Sequence, residues 1–112
     1  MTSSAETLLA VQLEQAGILA MREYHFHPTR RWRADFAVVK PGHMVATLLV
    51  EIDGGAFVGG RHSRGTGVER DAEKQSAAAI LGYRVIRCTP RQVEDGTALS
   101  WIRQAIGLEQ AA

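Results

Sequence analysis

The sequence predicts an α/β protein, and three observations support this fold class. Apolar segments of strand length and segments with helical periodicity follow one another in the order helix, three strands, helix, strand, helix. Turn-forming residues separate them at Pro28, Pro41, Gly42 and Gly82. The unbroken apolar run at residues 45–50 is typical of a central strand that is covered on both faces.

Length and composition indicate a globular protein of one domain, which we expect to span residues 1–112. No apolar run approaches the length of a membrane span, and the N-terminus lacks the pattern of a signal peptide. We therefore expect a cytoplasmic protein with no membrane partner. Cys88 is the single cysteine, which excludes a disulfide framework, and we expect a buried core thiol on a strand.

The first helix has clear start and stop signals. Ser3 or Ser4 can cap it, and Gly17 is a plausible end. Glu6 lies at the leading edge of the apolar stripe, so it can point into a site; a capping or helix-dipole role is the alternative. The stripe consists of Leu8, Leu9, Val11, Leu13 and Ala16.

Three strands are predicted next, at residues 22–27, 31–40 and 44–53. A helix over residues 68–81 and a strand over 83–88 follow. The chain then forms a helical turn at residues 90–93 and a last helix over 97–108, where we expect Trp101 to complete the packing. On the helix over 68–81, Lys74 can either reach a site at the end of the third strand or pair with Asp71.

Acidic side chains at strand positions are the main chemical signal. Glu51 and Asp53 share one face of the third strand. If the preceding loop is centred on His43, Asp35 lies opposite Glu51, with Cβ atoms roughly 4.5–5.5 Å apart. Two such carboxylates repel by about 4 kcal/mol at an effective dielectric constant of 20. Either one takes up a proton or a cation lies between them.

Two basic clusters surround these acids, although the formal net charge is only +1. Such clusters fit a phosphodiester substrate, and ordinary solvated arginines are the alternative. Three residues of the second cluster lie in a glycine-rich loop that lacks P-loop spacing, where arginines can hold phosphate, and Arg70 lies on the helix that follows. A flexible surface loop is again the alternative. The clusters are Arg22, His25, His27, Arg30, Arg31 and Arg33, and Arg61, His62, Arg64 and Arg70.

Four segments together resemble the PD-(D/E)XK nuclease superfamily, and most closely its small phage- and prophage-type endonuclease-like proteins. They are F-H-P-T-R-R-W-R-A-D-F-A at residues 26–37, V-E-I-D-G-G at 50–55, G-R-H-S-R-G-T-G at 60–67 and L-G-Y-R-V-I-R at 81–87. The strand ending I-D-G before a histidine-bearing loop also looks like the very-short-patch mismatch repair endonucleases.

The resemblance implies a restriction-endonuclease-like αβββαβ core, in which helices flank a mixed central sheet. It also implies a metal-dependent DNA endonuclease that hydrolyses phosphodiester bonds, on branched, nicked or mismatched DNA. Mg²⁺ or Mn²⁺ would be bound by Asp35, Glu51 and the backbone carbonyl of Ile52, and Glu6 corresponds in place to the family's helical acid. A homodimer is compatible with this family.

The family's motif has a lysine two residues after its second acid. In this chain the second acid is Glu51, and Asp53 stands where the lysine is expected. Asp53 could be a ligand or orient water, Lys74 could supply the missing positive charge, or catalysis could be impaired. His62 could protonate the leaving oxygen, while Arg61 or Arg64 holds the phosphate. The expected nucleic-acid-binding residues are Arg30, Arg31, Arg33, Arg61, His62 and Arg64.

Two other functions stay open at this point. A non-catalytic nucleic-acid-binding or assembly module would keep the fold and bind DNA without metal. A structural domain would use Arg33 or Arg61 merely to neutralise the acids. The sequence leaves the oligomeric state and the form of nucleic acid open.

Overall fold

A computed structural model gives the fold of the chain and describes residues 3–53 and 66–110. The predicted order of elements is confirmed, and the helical turn predicted at residues 90–93 is a short helix before the last one. The helices are α1 (Ser4–Gln15), α2 (Thr66–Ile80), α3 (Pro90–Glu94) and α4 (Thr97–Ala105). The strands are β1 (Ala20–His25), β2 (Arg33–Val38), β3 (Leu48–Ile52) and β4 (Arg84–Cys88).

The four strands form one mixed sheet in the order β1-β2-β3-β4. The pairs β1–β2 and β2–β3 are antiparallel, whereas β3–β4 is parallel. A parallel pair needs a crossover connection, and α2 lies in it. The predicted fold class, an α/β fold with a mixed central sheet flanked by helices, is therefore confirmed.

The sheet separates two hydrophobic clusters, because neighbouring residues of a strand point to opposite faces. Phe36 and Val50 pack in the cluster that includes residues of α1, α3 and α4. Ala37 and Leu49 pack in the other cluster, against Ala78 of α2. The apolar run predicted to be central at residues 45–50 is buried only in its second half: Leu48, Leu49 and Val50 are buried, whereas Val45 is 69% exposed and lies before the strand begins. This arrangement places α2 over the face of the sheet that carries Leu49.

The helix ends follow the sequence signals. Ser3 caps α1 by accepting a hydrogen bond from the backbone N–H of Glu6, and Gly17 adopts a positive φ of 72° just beyond the helix. At α3, Thr89 and Gln92 form a reciprocal capping box. Local sequence is sufficient to place these boundaries.

Three packing expectations have different outcomes. Cys88 is buried, as predicted. The stripe on α1 is narrower than predicted, since Leu9 and Leu13 are buried while Leu8 and Val11 are exposed. Trp101 is 37% exposed, so the expectation that it completes the packing of α4 is wrong. The buried face of residues 97–106 is formed instead by Ala98, Ile102 and Ile106.

The second and third predicted strands are longer than the observed ones, whereas the first has the predicted length and starts two residues earlier, at Ala20. The strand predicted at residues 44–53 starts only at Leu48, because Pro41 to Ala46 form turns and irregular chain. In the described part of the chain, every helix is too short or too polar to cross a bilayer.

Candidate functional site

Asp35 on β2 and Glu51 on β3 are brought into register as the sequence predicts. Phe36 pairs with Val50 and Val38 pairs with Leu48. The same register, continued by one residue, puts Asp35 opposite Glu51. Asp35 Oδ2 accepts a hydrogen bond of 2.7 Å from the backbone N–H of Ile52, so the Asp35 carboxylate is fixed against the end of β3.

Lys74 of α2 reaches the end of β3. Its Nζ lies 2.8 Å from Glu51 Oε2, and the two side chains are only 25% and 20% exposed. The pKa of Glu51 is raised by burial, although the hydrogen bond from Lys74 opposes this shift. The sequence left two roles open for Lys74, and the structure shows the contact with the end of β3. Asp71 pairs with Arg87 instead of Lys74.

Asp53 has its own cationic partner. Arg87 on β4 donates from Nε and Nη2 to the two carboxylate oxygens of Asp53, at 2.9 and 2.8 Å. Arg87 also contacts Asp71 at 3.2 Å and Gln75 at 3.3 Å, both on α2. Hydrogen bonding to Asp53 raises the pKa of Arg87, so the guanidinium is permanently charged. Asp53 therefore forms a forked ion pair with Arg87 that ties the end of β3 to β4 and α2.

Glu6 on α1, Glu23 on β1 and Asp35 on β2 form a carboxylate cluster. One carboxylate oxygen of each residue lies within 4.8 Å of the other two. Glu6 is 5% exposed, and Arg22 contacts its Oε2 at a long 3.4 Å from both Nε and Nη2. The predicted position of Glu6, at the buried edge of its helix, is where the structure has it.

Burial raises the pKa of Asp35, and the hydrogen bond from Ile52 only partly offsets that rise. The pKa of Glu6 is also raised, first by burial and then by the neighbouring Glu23. Three carboxylates at this spacing repel one another, so a proton or a cation between them lowers the free energy of the cluster.

The structure describes the first basic cluster, between β1 and β2 and on those strands, but not the arginines and the histidine of the glycine-rich loop. Arg30 stacks on the ring of Trp32 at 4.0 Å and contacts Glu73 at 3.2 Å. Arg31 is exposed, and Arg33 contacts Glu23 at 3.5 Å rather than Asp35. Arg61, His62 and Arg64 lie outside the described residues, so their predicted contacts with phosphate remain predictions.

Two members of the site were missed by the sequence analysis. Glu23 could have been found from the turn around Thr29, since a hairpin centred there puts Glu23 opposite Asp35. Arg87 had no comparable signal, because the register of a parallel strand pair is not fixed by a short turn.

Comparison with known proteins gives a fold-level relationship. No protein-family model matches the chain, and no curated protein matches it significantly. Among solved structures, the catalytic domain of the homing endonuclease I-Bth0305I matches with a TM-score of 0.58 and 21% sequence identity. The match covers 95% of this chain and 92% of that one. The chain therefore has the α/β fold of an endonuclease catalytic domain.

Proposed function

We propose that this chain is a divalent-metal-dependent DNA endonuclease of the PD-(D/E)XK superfamily, with residues 1–112 forming one nuclease domain. The observation that carries the proposal is the carboxylate cluster around Asp35, in a fold shared with an endonuclease catalytic domain. The pattern shared with very-short-patch endonucleases favours branched, nicked or mismatched DNA as substrate.

The donor set fits Mg²⁺ or Mn²⁺. These cations prefer oxygen ligands, and the cluster of Glu6, Glu23 and Asp35 offers only carboxylate oxygens. We propose that Asp35, Glu51 and the carbonyl of Ile52 hold the cation, with Glu6 beside them. Lys74 engages only Oε2 of Glu51 among the contacts described, and a carboxylate has a second oxygen to offer. When bound, the cation would lower the pKa of an attacking water and neutralise charge on the phosphate.

Lys74 is our choice for the group that replaces the motif lysine. Its ammonium lies at Glu51, where it can stabilise negative charge as the phosphodiester is attacked. Asp53 is held by Arg87, so its proposed role is to position β4 and α2 beside the site. His62 is the proposed proton donor to the leaving oxygen.

The substrate surface in this proposal begins with the exposed arginines between β1 and β2. The Arg30 guanidinium lies over the Trp32 ring, and an arginine fork suits a phosphate oxygen. Arg31 and Arg33 extend this positive surface, and Arg61, His62 and Arg64 are the proposed contacts from the following loop. Since such contacts read the backbone, they also leave the sequence of the DNA unspecified.

Cleavage of supercoiled, nicked and junction DNA in Mg²⁺, Mn²⁺ or EDTA tests this function. We expect cleavage only with a cation, and a loss of about 100-fold or more in Asp35→Asn and Glu51→Gln. Glu14→Gln, at an exposed position of α1, is the matched control and should cleave normally. Absence of cleavage of every DNA and RNA form, or normal activity in both site variants, would overturn the proposal.

A second candidate function is a non-catalytic nucleic-acid-binding module. It is favoured by the Asp53–Arg87 pair, which puts an acid and a structural ion pair where the motif has its lysine. This function predicts salt-sensitive DNA binding that survives both EDTA and the Asp35→Asn change. The cleavage assay above, combined with a binding titration, distinguishes the two functions.

A further inference from the structure

The turn between β1 and β2 is built around one histidine side chain. His27 Nδ1 accepts hydrogen bonds from the backbone N–H groups of Thr29 and Arg30, at 3.1 and 3.0 Å. A backbone N–H can only donate, so Nδ1 carries no proton and the ring proton of a neutral imidazole lies on Nε2. His27 is therefore a hydrogen-bond acceptor within the turn, although its place in the first basic cluster suggested a cation.

The His27 ring also packs on Trp32, the side chain that holds the Arg30 guanidinium. The ring centroids of His27 and Trp32 are 5.3 Å apart in an edge-to-face arrangement, and the buried Phe26 stacks on Trp32 at 6.3 Å. Arg30 Cζ lies 4.0 Å from the centroid of the Trp32 ring. Arg30 is thus held at its backbone by His27 and at its guanidinium by Trp32, and these two side chains contact each other.

The ion pair between Arg30 and Glu73 is weak enough for a phosphate to replace it. Glu73 Oε2 lies 3.2 Å from Arg30 Nη1, and both side chains are about half exposed. Exposed pairs of this kind contribute little, so losing Glu73 leaves the contacts with His27 and Trp32 in place. Arg31 follows directly in the chain and is exposed as well. The turn therefore offers two adjacent guanidinium groups on a backbone of fixed conformation.

We infer that His27 is a positioning residue for DNA binding, because its neutral imidazole fixes the turn that presents Arg30 and Arg31 to phosphates. This inference rests on the proposed function for the role of the two arginines. A turn that is ordered before binding loses less conformational entropy when DNA binds, so His27 raises the affinity without touching the DNA. It acts through the backbone of the turn and adds no charge to the surface.

The test is DNA binding by His27→Ala and His27→Asn, measured by fluorescence anisotropy with labelled duplex DNA in EDTA over a range of KCl concentrations. An asparagine side chain can accept from backbone N–H groups shortly after it, as in an Asx turn, so His27→Asn restores the acceptor. We expect His27→Ala to bind about three- to tenfold more weakly with an unchanged salt slope, and His27→Asn to recover most of the affinity. His43→Ala is the control, because His43 is exposed and lies between β2 and β3, at the opposite end of the sheet.

A second measurement needs no DNA. Long-range ¹H–¹⁵N spectra of the imidazole groups in the free full-length chain should show His27 with its proton on Nε2 at neutral pH. A proton on Nδ1 would overturn the inference, whatever the protein does with DNA. If His27→Ala fails to fold, His27→Leu takes its place in the binding assay, because leucine keeps apolar bulk beside Trp32 and lacks the acceptor.

Equal affinities in wild type, His27→Ala and His27→Asn would overturn this inference and leave the proposed function intact. Equal losses in both variants with a lower salt slope would also overturn it, because His27 would then contact phosphate as a cation. Binding that depends on His27 in a chain that cleaves no nucleic acid would overturn the nuclease proposal and retain the positioning role. A wild-type chain that binds no nucleic acid would overturn both.

Discussion

Lys74 Nζ lies 2.8 Å from Glu51 Oε2, and this contact joins α2 to the end of β3. It connects two segments that are separated in sequence by the glycine-rich loop. Because both side chains are largely buried, the pair is less screened by water than an ordinary surface ion pair. The position of the ammonium relative to the acids is thus set by the packing of a helix on the sheet.

Lys74→Met should lower the rate of DNA cleavage by about 100-fold, because a fixed positive charge near the phosphate is lost. Lys74→Arg should keep part of the rate. The measurement is single-turnover cleavage at saturating protein, which separates chemistry from DNA binding. Lys40→Met, at an exposed lysine beyond β2, is the control. A normal rate in Lys74→Met would exclude Lys74 as the replacement for the motif lysine.

Asp35→Asn should stabilise the metal-free protein at pH 7 by about 0.5–1 kcal/mol. The pKa of Asp35 is raised in the folded state, so folding favours the protonated form. The stability that the raised pKa of Asp35 contributes is fully present below the pKa of Asp35 in the unfolded chain. This stability is lost as the pH rises through the pKa of Asp35 in the folded protein. Asparagine mimics the protonated form and can still accept the hydrogen bond from Ile52. The gain in stability from Asp35→Asn should therefore disappear in acid.

Chemical denaturation in EDTA from pH 3 to 7 measures this effect. Asp95 provides a control of opposite sign, because hydrogen bonding from Thr97 lowers its pKa. Asp95→Asn should therefore destabilise the protein at pH 7, with the effect shrinking in acid. Equal pH profiles for the two variants would contradict the assignment of burial as the dominant influence on Asp35.

Two adjacent leucines of α1 should differ in their contribution to stability. Leu9 is 0% exposed and Leu8 is 37% exposed. Leu9→Ala should lower the free energy of unfolding by about 2–5 kcal/mol, because it leaves a cavity between helix and sheet. Leu8→Ala should cost about 1 kcal/mol or less. Urea denaturation followed by circular dichroism gives both values, and similar losses would show that the helix packs on another face.

Arg31→Ala should weaken DNA binding uniformly across sequences and reduce the slope of log affinity against log salt by about 0.9. The measurement is fluorescence anisotropy with labelled duplex DNA in EDTA, between low and moderate KCl. Arg103→Ala is the control, since Arg103 lies on α4 and pairs with Glu109 at 3.4 Å. An unchanged salt slope in Arg31→Ala would remove this residue from the proposed DNA surface.

The extent to which the site follows from the sequence depends on chain connectivity. The β2–β3 register follows from a loop centred on His43, and it correctly puts Asp35 opposite Glu51. The Asp53–Arg87 pair depends on a parallel register set by the packing of α2, which local sequence does not specify.

The left-handed backbone conformation of Glu23 cannot be predicted from the sequence either, because glutamate has no preference for positive φ. Burial on α1 is a further example: periodicity finds Leu9 and Leu13 correctly, but tertiary packing determines how wide the buried stripe is.

The hydrogen bond from Ile52 to Asp35 makes one backbone amide a reporter for the carboxylate. A ligand that draws electron density from the Asp35 carboxylate makes that carboxylate a weaker acceptor for the Ile52 N–H. A ligand that immobilises Asp35 slows local opening of the end of β3. Chemical shift responds to the first effect and hydrogen exchange to the second. The Ile52 amide can therefore reveal occupancy of the site in a spectrum of the intact protein, without any substrate being turned over.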